Sequence, residues 1–543
     1  MSIARDAPPT TSTISAWAPF AHTAFAVLWA TTVVSNVGTW MHDVGAGWLM
    51  TELSPSPLMV AGVQAATTLP VFLFALLAGA LADIIDRRRL LIMVNAGMAV
   101  AAALLAALVA AELMTPWLLL VFTFVLGTGA AFVAPAWQAI VPTLVPREAL
   151  QPAIALNSMG INISRAIGPA LAGALIVSAG LAMPFAMNAV SFIGIVLALL
   201  WWRPPPRSAT VLPPEHVGAA IIGGLRYALN SRPFCHTLIR AAAFFLFASA
   251  YWAMLPLIAR QVLGGGPTLY GVLLGSVGVG AVLGALVLPA IRRRFDADRV
   301  VAVGTAGTAL SMVVFASVAE PVAAAAAAVL GGTSWIAVLS SLNVSAQTAL
   351  PDWVRARGLS VFLTVFFGAM ALGSLIWGQV AAVSAVPMAL GIAAVGALAT
   401  LPLTRRFHLN LGASLDLAPA MHWPAPVLSG AATPGAGPVM VRVEYVIDRA
   451  DEARFGTLML ELGAARRRGG GYGWTLMRDA ADSSRYAETW FEANWTEHLR
   501  HHERVSGADR ALQEEIRALH RGAAGPMVEH FLAAPTDILP NQR

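Results

Sequence analysis

Gly79-Ala80-Leu81-Ala82-Asp83-Ile84-Ile85-Asp86-Arg87-Arg88-Arg89 closes one long apolar run. Gly284-Ala285-Leu286-Val287-Leu288-Pro289-Ala290-Ile291-Arg292-Arg293-Arg294 closes another, an offset of 205. Gln138-Ala139-Ile140-Val141-Pro142 and Gln347-Thr348-Ala349-Leu350-Pro351 repeat the correspondence at an offset of 209. Two matches at nearly one offset predict a chain whose first and second parts are copies of one design, as in membrane proteins built from internal repeats.

The composition agrees. Of 543 residues 57% are hydrophobic and 12% charged, with a mean hydropathy of +0.70, against about 25% charged in a soluble domain. Residues 1–404 hold 18 Arg and 12 Asp/Glu, and residues 405–543 hold 16 Arg and 17 Asp/Glu. A very apolar body therefore precedes an ordinary soluble tail, which excludes a soluble enzyme, a fibre and a disordered chain. Cys235 is the single cysteine, so no disulfide framework or cysteine metal site is expected. All 34 basic residues are Arg and the net charge is +5. These arginines do not gather in one soluble domain, so no nucleic-acid partner is expected. No cleavable signal peptide is expected either, because the first apolar run is too long for one.

Crossing ~30 Å of hydrocarbon takes about 20 mostly apolar residues. Segments of that kind lie at 23–50, 58–82, 90–112, 117–141, 149–179 and 183–202, then at 236–260, 268–291, 300–319, 322–349, 358–384 and 386–404. They predict an all-α membrane protein of twelve transmembrane helices in two six-helix halves. With the N-terminus inside, the outer connections carry Arg260 alone and the inner ones carry nearly every other loop arginine. Positive charge marks the cytoplasmic side, so both termini are expected there, in a multi-pass protein of the cell inner membrane. The predicted divisions are a tail at 1–21, halves at 22–202 and 236–404, linkers at 203–235 and 405–438, and an α/β domain at 439–535. The first linker begins with a Pro-rich stretch and continues into an amphipathic helix around Ile221, Ile222, Leu225 and Leu229, expected on the inner leaflet.

The loop after span 2 carries Gly79, Asp83, Asp86, Arg87, Arg88 and Arg89 at fixed spacing. On this pattern residues 20–404 resemble the major facilitator superfamily, and Leu288 replaces the Asp in the second copy. The resemblance implies a conformational latch, in which Gly79 permits close helix approach and Asp83 faces a helix N-terminus. In span 5, Gly168-Pro169-Ala170-Leu171-Ala172-Gly173 resembles the exporter signature of the family, a Pro bend between small residues. The motif expected on span 4 lacks its Arg, with Thr123 near that place. Through the stretches SNVGTWMHDVGAGWLM, PAWQAIVPTLVPREAL and NSMGINISRAIGPALAG the chain more closely resembles the enterobactin-exporter-like branch, of the transmembrane secretion effector type. This implies a secondary active transporter, a proton-coupled exporter of small amphipathic molecules such as drugs or siderophore-like metabolites, working by alternating access. Its expected partners are a small-molecule substrate, protons and the lipid bilayer.

Charges inside hydrocarbon are costly and mark function. Asp43 and Arg165 are the proton-coupling candidates, Arg165 tuning Asp43 or holding substrate. Asn36, Trp40 and Asp43 share one helical face. Asn36, Trp40, Gln64, Gln138, Asn162, Asn343, Gln347 and Gln379 are the expected cavity lining. Trp29, Trp48, Trp117, Trp201, Trp202 and Trp252 are read as interfacial or lipid-facing anchors.

From Val439 the pattern turns to strand-helix-strand-strand-helix-strand, an α+β ferredoxin-like order. It resembles the antibiotic-biosynthesis-monooxygenase type, which implies pairing of domains into a dimer. His498, His501 and His502 lie in EHLRHHER, which reads as a solvated helix face. No catalytic residue, metal or cofactor is expected. The alternative is a bifunctional membrane-anchored oxidative enzyme with its chemistry in the tail.

Overall fold

A computed structural model describes residues 15–203, 217–409, 415–423 and 435–533. The expected tail at 1–21 is therefore described only from Ser15, and large parts of both linkers lie outside the described residues. Six helices come first: α1 (Thr23–Leu53), α2 (Pro57–Ile84), α3 (Arg87–Ala110), α4 (Pro116–Leu144), α5 (Leu150–Ala179) and α6 (Met183–Trp201). The amphipathic α7 (Val217–Asn230) follows. Six more are α8 (Arg232–Leu257), α9 (Pro267–Arg292), α10 (Ala297–Ser317), α11 (Pro321–Thr348), α12 (Arg355–Val383) and α13 (Val386–Thr404). A π-helical turn, Ile258–Val262, extends α8. Twelve of these helices are long and apolar enough to cross a membrane.

Local chemistry sets where the helices begin. Proline opens α2, α4 and α9, where a missing N–H costs nothing. Asp86 caps α3, its Oδ1 accepting from the Arg89 N–H at 2.9 Å, and Asp296 caps α10 by accepting from the Arg299 N–H at 2.7 Å. The two halves thus share a capping aspartate before helices α3 and α10, a correspondence that the matching of Leu288 to Asp83 does not reveal.

The chain divides into two compact units. One takes the described residues of Met1–Leu212, Ala242–Ser340 and Leu363–Leu403; the other takes those of Pro213–Ala241, Ser341–Phe362 and Thr404–Arg543. The tail therefore does not form a unit by itself. It belongs with α7 and with one end each of α8, α11 and α12.

Within the first unit, α5 and α9 pack backbone against backbone. A Cβ on Gly271 would lie 2.5 Å from the Pro169 carbonyl oxygen, and one on Gly278 would lie 2.9 Å from that of Arg165. A Cβ on Gly173 would lie 2.9 Å from the Pro267 carbonyl oxygen. Gly168 and Pro169 are buried here, so the exporter-like stretch of span 5 takes part in one of the contacts between the two halves, another being that of Gly368 and Gly378 of α12 with α2.

The tail runs β1 (Val439–Val446), α14 (Glu452–Gly469), β2 (Tyr472–Arg478), β3 (Arg485–Glu492), α15 (Trp495–Arg504), α16 (Gly507–Leu519) and β4 (Met527–Leu532). The antiparallel sheet has the order β2-β3-β1-β4, which is the ferredoxin-like arrangement. Val439, Val441, Val443 and Tyr445 alternate inward along β1 and pack with Phe455, Met459 and Leu462 of α14. The α7 helix is tied to this unit: Arg226 Nη1 donates to the Gly470 carbonyl at 2.8 Å, and Arg467 Nε donates to Asn230 Oδ1 at 3.0 Å. Expected only at the lipid surface, α7 has its polar side committed to the tail, while Ile222 and Leu229 stay exposed.

Candidate functional site

In the helical body, Arg165 of α5 stands where charge is least expected. Its guanidinium lies over the Trp40 ring of α1 at 5.5 Å, and its nearest electrostatic partner is Tyr251 of α8. Among the described residues it has no carboxylate partner, and its buried Nε has no hydrogen bond. The Tyr251 hydroxyl and Trp252 Nε1 are likewise buried and meet hydrogen-bond geometry with no described group. Trp252 packs edge-on to Trp335 at 5.3 Å, and Trp335 lies 6.1 Å from Phe366. The Arg165 Nε thus lacks a hydrogen bond, and Tyr251 and Trp252, whose side chains interact with each other, lie beside an aromatic wall of the second half. Buried polar groups without partners are rare and cost about 1–3 kcal/mol each.

Asp43 does not join this group. It is half-buried on α1, its electrostatic neighbour is Tyr270 of α9, and no ion pair links it to Arg165. Each of the two expected coupling residues has its own electrostatic neighbour, Tyr270 for Asp43 and Tyr251 for Arg165. Beside Asp43, His42 is buried with both ring nitrogens unpartnered and stacks edge-on against Phe185 at 5.1 Å. Sequence reasoning missed His42 and Tyr251; their one signal was a titratable group inside an apolar span.

The expected cavity residues scatter. Asn36, Trp40, Gln64 and Asn162 are half-buried, and Gln138 and Gln379 are exposed. Asn343 and Gln347 bond to each other at 2.5 Å but belong to the other compact unit. The tryptophan reading is also corrected. Trp117 and Trp201 are 68% and 56% exposed, as anchors would be, whereas Trp48 and Trp202 are buried. Trp29 Nε1 donates to the Leu156 carbonyl at 2.9 Å.

At the loop after α2, Arg87 Nη1 donates to the Ala139 carbonyl of α4 at 3.1 Å. Arg88 Nε and Nη2 donate to the Leu199 and Leu200 carbonyls at 2.7 and 2.9 Å, neutralising the C-terminal end of α6. The Asp83 side chain lies outside the described residues. A Cβ at Gly79 would meet no described atom within 4 Å, so close helix approach is not what this glycine provides here.

In the tail, a cavity of about 810 Å³ opens between the helix-facing side of the sheet and α14–α16. Val441, Trp490, Arg466, His498, His502 and His530 help to line it. The reading of His498 and His501 as a solvated face is overturned: they are 1% and 3% exposed. Glu492, at the end of β3, explains their burial. Its Oε2 meets His498 Nδ1 at 2.6 Å, its Oε1 meets His501 Nδ1 at 2.5 Å, and Oε1 also accepts from Trp490 Nε1 at 3.0 Å. Burial pushes the Glu492 carboxyl up, but the two histidine hydrogen bonds outweigh it and hold the group below the usual carboxylate range. Burial, with the neighbouring His498 and His501 imidazoles, brings His502 down to about 4. Deeper still, Arg466 Nε donates to Glu488 Oε1 at 3.0 Å and lies over the Trp490 ring at 4.1 Å. The Tyr445 hydroxyl and Trp474 Nε1 donate to the same Glu488.

Comparison with known proteins places the whole of this architecture in one context. The family described as "Transmembrane secretion effector" matches residues 14–537. The staphyloferrin A transporter of Staphylococcus aureus is 27% identical over 47% of this chain, and the match spans 64% of that transporter's length. The enterobactin exporter EntS of Salmonella typhimurium is 25% identical over 71% of this chain and 94% of its own length. The multidrug efflux pump Tap of Mycolicibacterium fortuitum is 26% identical over 64% of this chain and 87% of its own. Among solved structures, the nucleoside transporter NupG (D323A mutant) superposes with a TM-score of 0.58 at 14% identity, over 71% of this chain and 99% of that one. At that identity the likeness shows the fold alone.

Proposed function

Because the chain belongs to the transmembrane secretion effector family of major facilitator transporters, we propose that it is a proton-coupled exporter of small amphipathic molecules, working by alternating access with both termini in the cytoplasm. The observation that carries this reading is Arg165, on the helix α5 that packs against α9, with its buried Nε unpartnered and with Tyr251 and Trp252 of α8 beside an aromatic wall. A guanidinium over an indole ring, with a phenol and an indole N–H close by, suits an anionic or phenolic aromatic substrate. The names of the relatives, two siderophore transporters and a drug pump, agree with that chemistry. Arg165 is assigned to substrate and Asp43 to the proton, with His42 at its side. Gly79, Asp83, Asp86 and Arg87–Arg89 form the latch region, in which the capping and carbonyl contacts of Asp86, Arg87 and Arg88 hold three helix ends together.

The tail is proposed to pair two chains. Tyr472, Phe491, Met440 and Phe531 lie in one cross-strand row on the sheet face opposite the cavity, and Tyr472 and Phe531 are exposed. Proteoliposome transport with and without an imposed pH gradient tests the transporter reading. Asp43→Asn is expected to abolish the response to the gradient while substrate binding persists. An unchanged response removes Asp43 from coupling. Removing residues 439–543 should leave folded transporter with transport reduced rather than lost; intact transport with loss of a chemical turnover would favour the bifunctional alternative.

A further inference from the structure

The tail cavity contains three imidazoles whose nitrogens converge. His498 and His502 project from α15 one turn apart, and His530 projects from β4 on the helix-facing side of the sheet. One ring nitrogen from each lies within 4.8 Å of the others, and the Nε2 atoms of His498 and His502 are 3.2 Å apart. Nitrogens bound at about 2.0–2.1 Å to one tetrahedral ion lie a little over 3 Å from each other, so small side-chain adjustments bring all three onto a common centre. The ring pairs His498–His502 and His498–His530 are edge-on, with centroids 4.7 and 4.8 Å apart. Imidazoles around an ion adopt that mutual inclination, whereas stacked rings would aim their lone pairs apart.

A second, independent feature fixes the central ligand. Glu492, itself 1% exposed, takes the Nδ1–H of His498, so the tautomer leaves the Nε2 lone pair directed at His502 and the cavity. Carboxylate–histidine pairs of this kind orient metal-binding rings and raise their basicity. Glu492 is held in turn by His501 and Trp490, so the orienting group cannot swing into the site. The remaining side is open: the 810 Å³ cavity lies against His498, His502 and His530, and no described carboxylate or thiol belongs to the trio.

We propose that His498, His502 and His530 bind one divalent transition-metal ion, with a coordination position left open to the tail cavity for an exchangeable oxygen ligand. Three neutral imidazoles favour Zn²⁺, Ni²⁺ or Cu²⁺ over Mg²⁺ or Ca²⁺, which select oxygen. The tail then carries a metal-responsive site of its own, separate from the Arg165 region of the helical body and independent of what the body transports.

The test uses the tag-free full chain in detergent, stripped with EDTA. Co²⁺ titration is expected to raise ligand-field absorption between about 500 and 650 nm that saturates near one equivalent per chain, and Zn²⁺ is expected to abolish it. His502→Ala and His530→Ala should each weaken Co²⁺ binding at least about tenfold. Glu492→Gln should weaken it by about 10- to 100-fold. His422→Ala, in the same cavity but outside the trio, should leave it unchanged. Calorimetry with Zn²⁺ supplies a readout that needs no variant. A wild-type chain that takes up no stoichiometric Zn²⁺ or Co²⁺ overturns the proposal. So does a folded His502→Ala/His530→Ala double variant that binds Co²⁺ as tightly as the parent.

Discussion

Ionisable side chains are buried in both compact units, and the Arg466 and Glu492 networks of the tail differ sharply in their pairing from Arg165, Tyr251 and His42 of the helical body. In the tail, Arg466 is held by Glu488, which also accepts from Tyr445 and Trp474, while Glu492 is held by His498, His501 and Trp490. In the helical body, Arg165, Tyr251 and His42 keep polar atoms without partners among the described residues. A buried charge whose hydrogen bonds are filled rigidifies the packing around it. One whose bonds are left open carries its desolvation cost uncompensated. On the function proposed above, the pairing state, more than burial itself, separates groups that build the protein from groups positioned to meet a ligand.

The largest effect is expected where a filled network is cut. Glu488→Ala leaves Arg466 charged and buried between the Trp490 and Trp423 rings without its carboxylate hydrogen bonds, and removes the acceptor of Tyr445 and Trp474. Breaking a buried pair by deleting one partner costs about 3–5 kcal/mol, enough to unfold the tail. Limited proteolysis of the full chain with denaturant should show the tail opening at much lower denaturant while the membrane helices stay protected. A loss below about 1 kcal/mol would mean that the network contributes little and that the contrast with Arg165 is not energetic.

Much of this contrast was legible in the sequence, but unevenly. The body could be read because hydrocarbon is an unforgiving solvent: twelve apolar runs and arginines confined to alternate connections leave few arrangements open. Arg165 stood out for the same reason, as a charge about 15 residues into span 5. His42 and Tyr251 did not, since a histidine or tyrosine in an apolar run is equally compatible with a satisfied core position. In the tail the failure had a different origin. EHLRHHER has the composition of a solvated helix, and Glu492 lies on a strand six residues before His498, so only the β3-to-α15 turn folds the carboxylate back onto the imidazoles. Linear spacing carries helix faces well and strand-to-helix junctions poorly. The repeat shows the same weakness, because the cap held in the first half by Asp86 is held in the second by Asp296, five residues beyond the Ile291 that the 205 offset pairs with it.

An intermediate effect tests whether the α5–α9 contact matters because it brings Arg165 to the second half. Gly278→Ala sets a Cβ 2.9 Å from the Arg165 carbonyl oxygen and 3.0 Å from the Ala166 Cα. Both are backbone atoms that cannot rotate away, so the helices must separate. Overpacking of this kind costs about 1–3 kcal/mol and should lower the thermal stability of the membrane domain together with transport. Gly275→Ala is the matched control, since its Cβ would meet the Ala166 carbonyl oxygen at an ordinary 3.5 Å, and it should change stability by less than about 0.5 kcal/mol. Equal behaviour of the two variants would detach transport from the closeness of this crossing.

The smallest change in stability is expected at the most unusual charge. Arg165→Met removes the guanidinium but keeps a long, flexible side chain to pack against Trp40. No described carboxylate is left behind, which is the opposite of the Glu488 case. The membrane domain should therefore unfold at the same temperature or a higher one, because an unpaired buried charge opposes folding. Transport, by contrast, should fall at least about tenfold, the equivalent of ~1.4 kcal/mol of lost substrate or transition-state interaction. Arg165→Lys keeps the charge but not the planar fork, so it should recover little transport for a phenolic or carboxylate substrate. Stability and activity moving apart in this way is the signature of a group held in a strained state for function. If Arg165→Met instead destabilises the domain as strongly as Glu488→Ala destabilises the tail, then Arg165 is a structural group like Arg466.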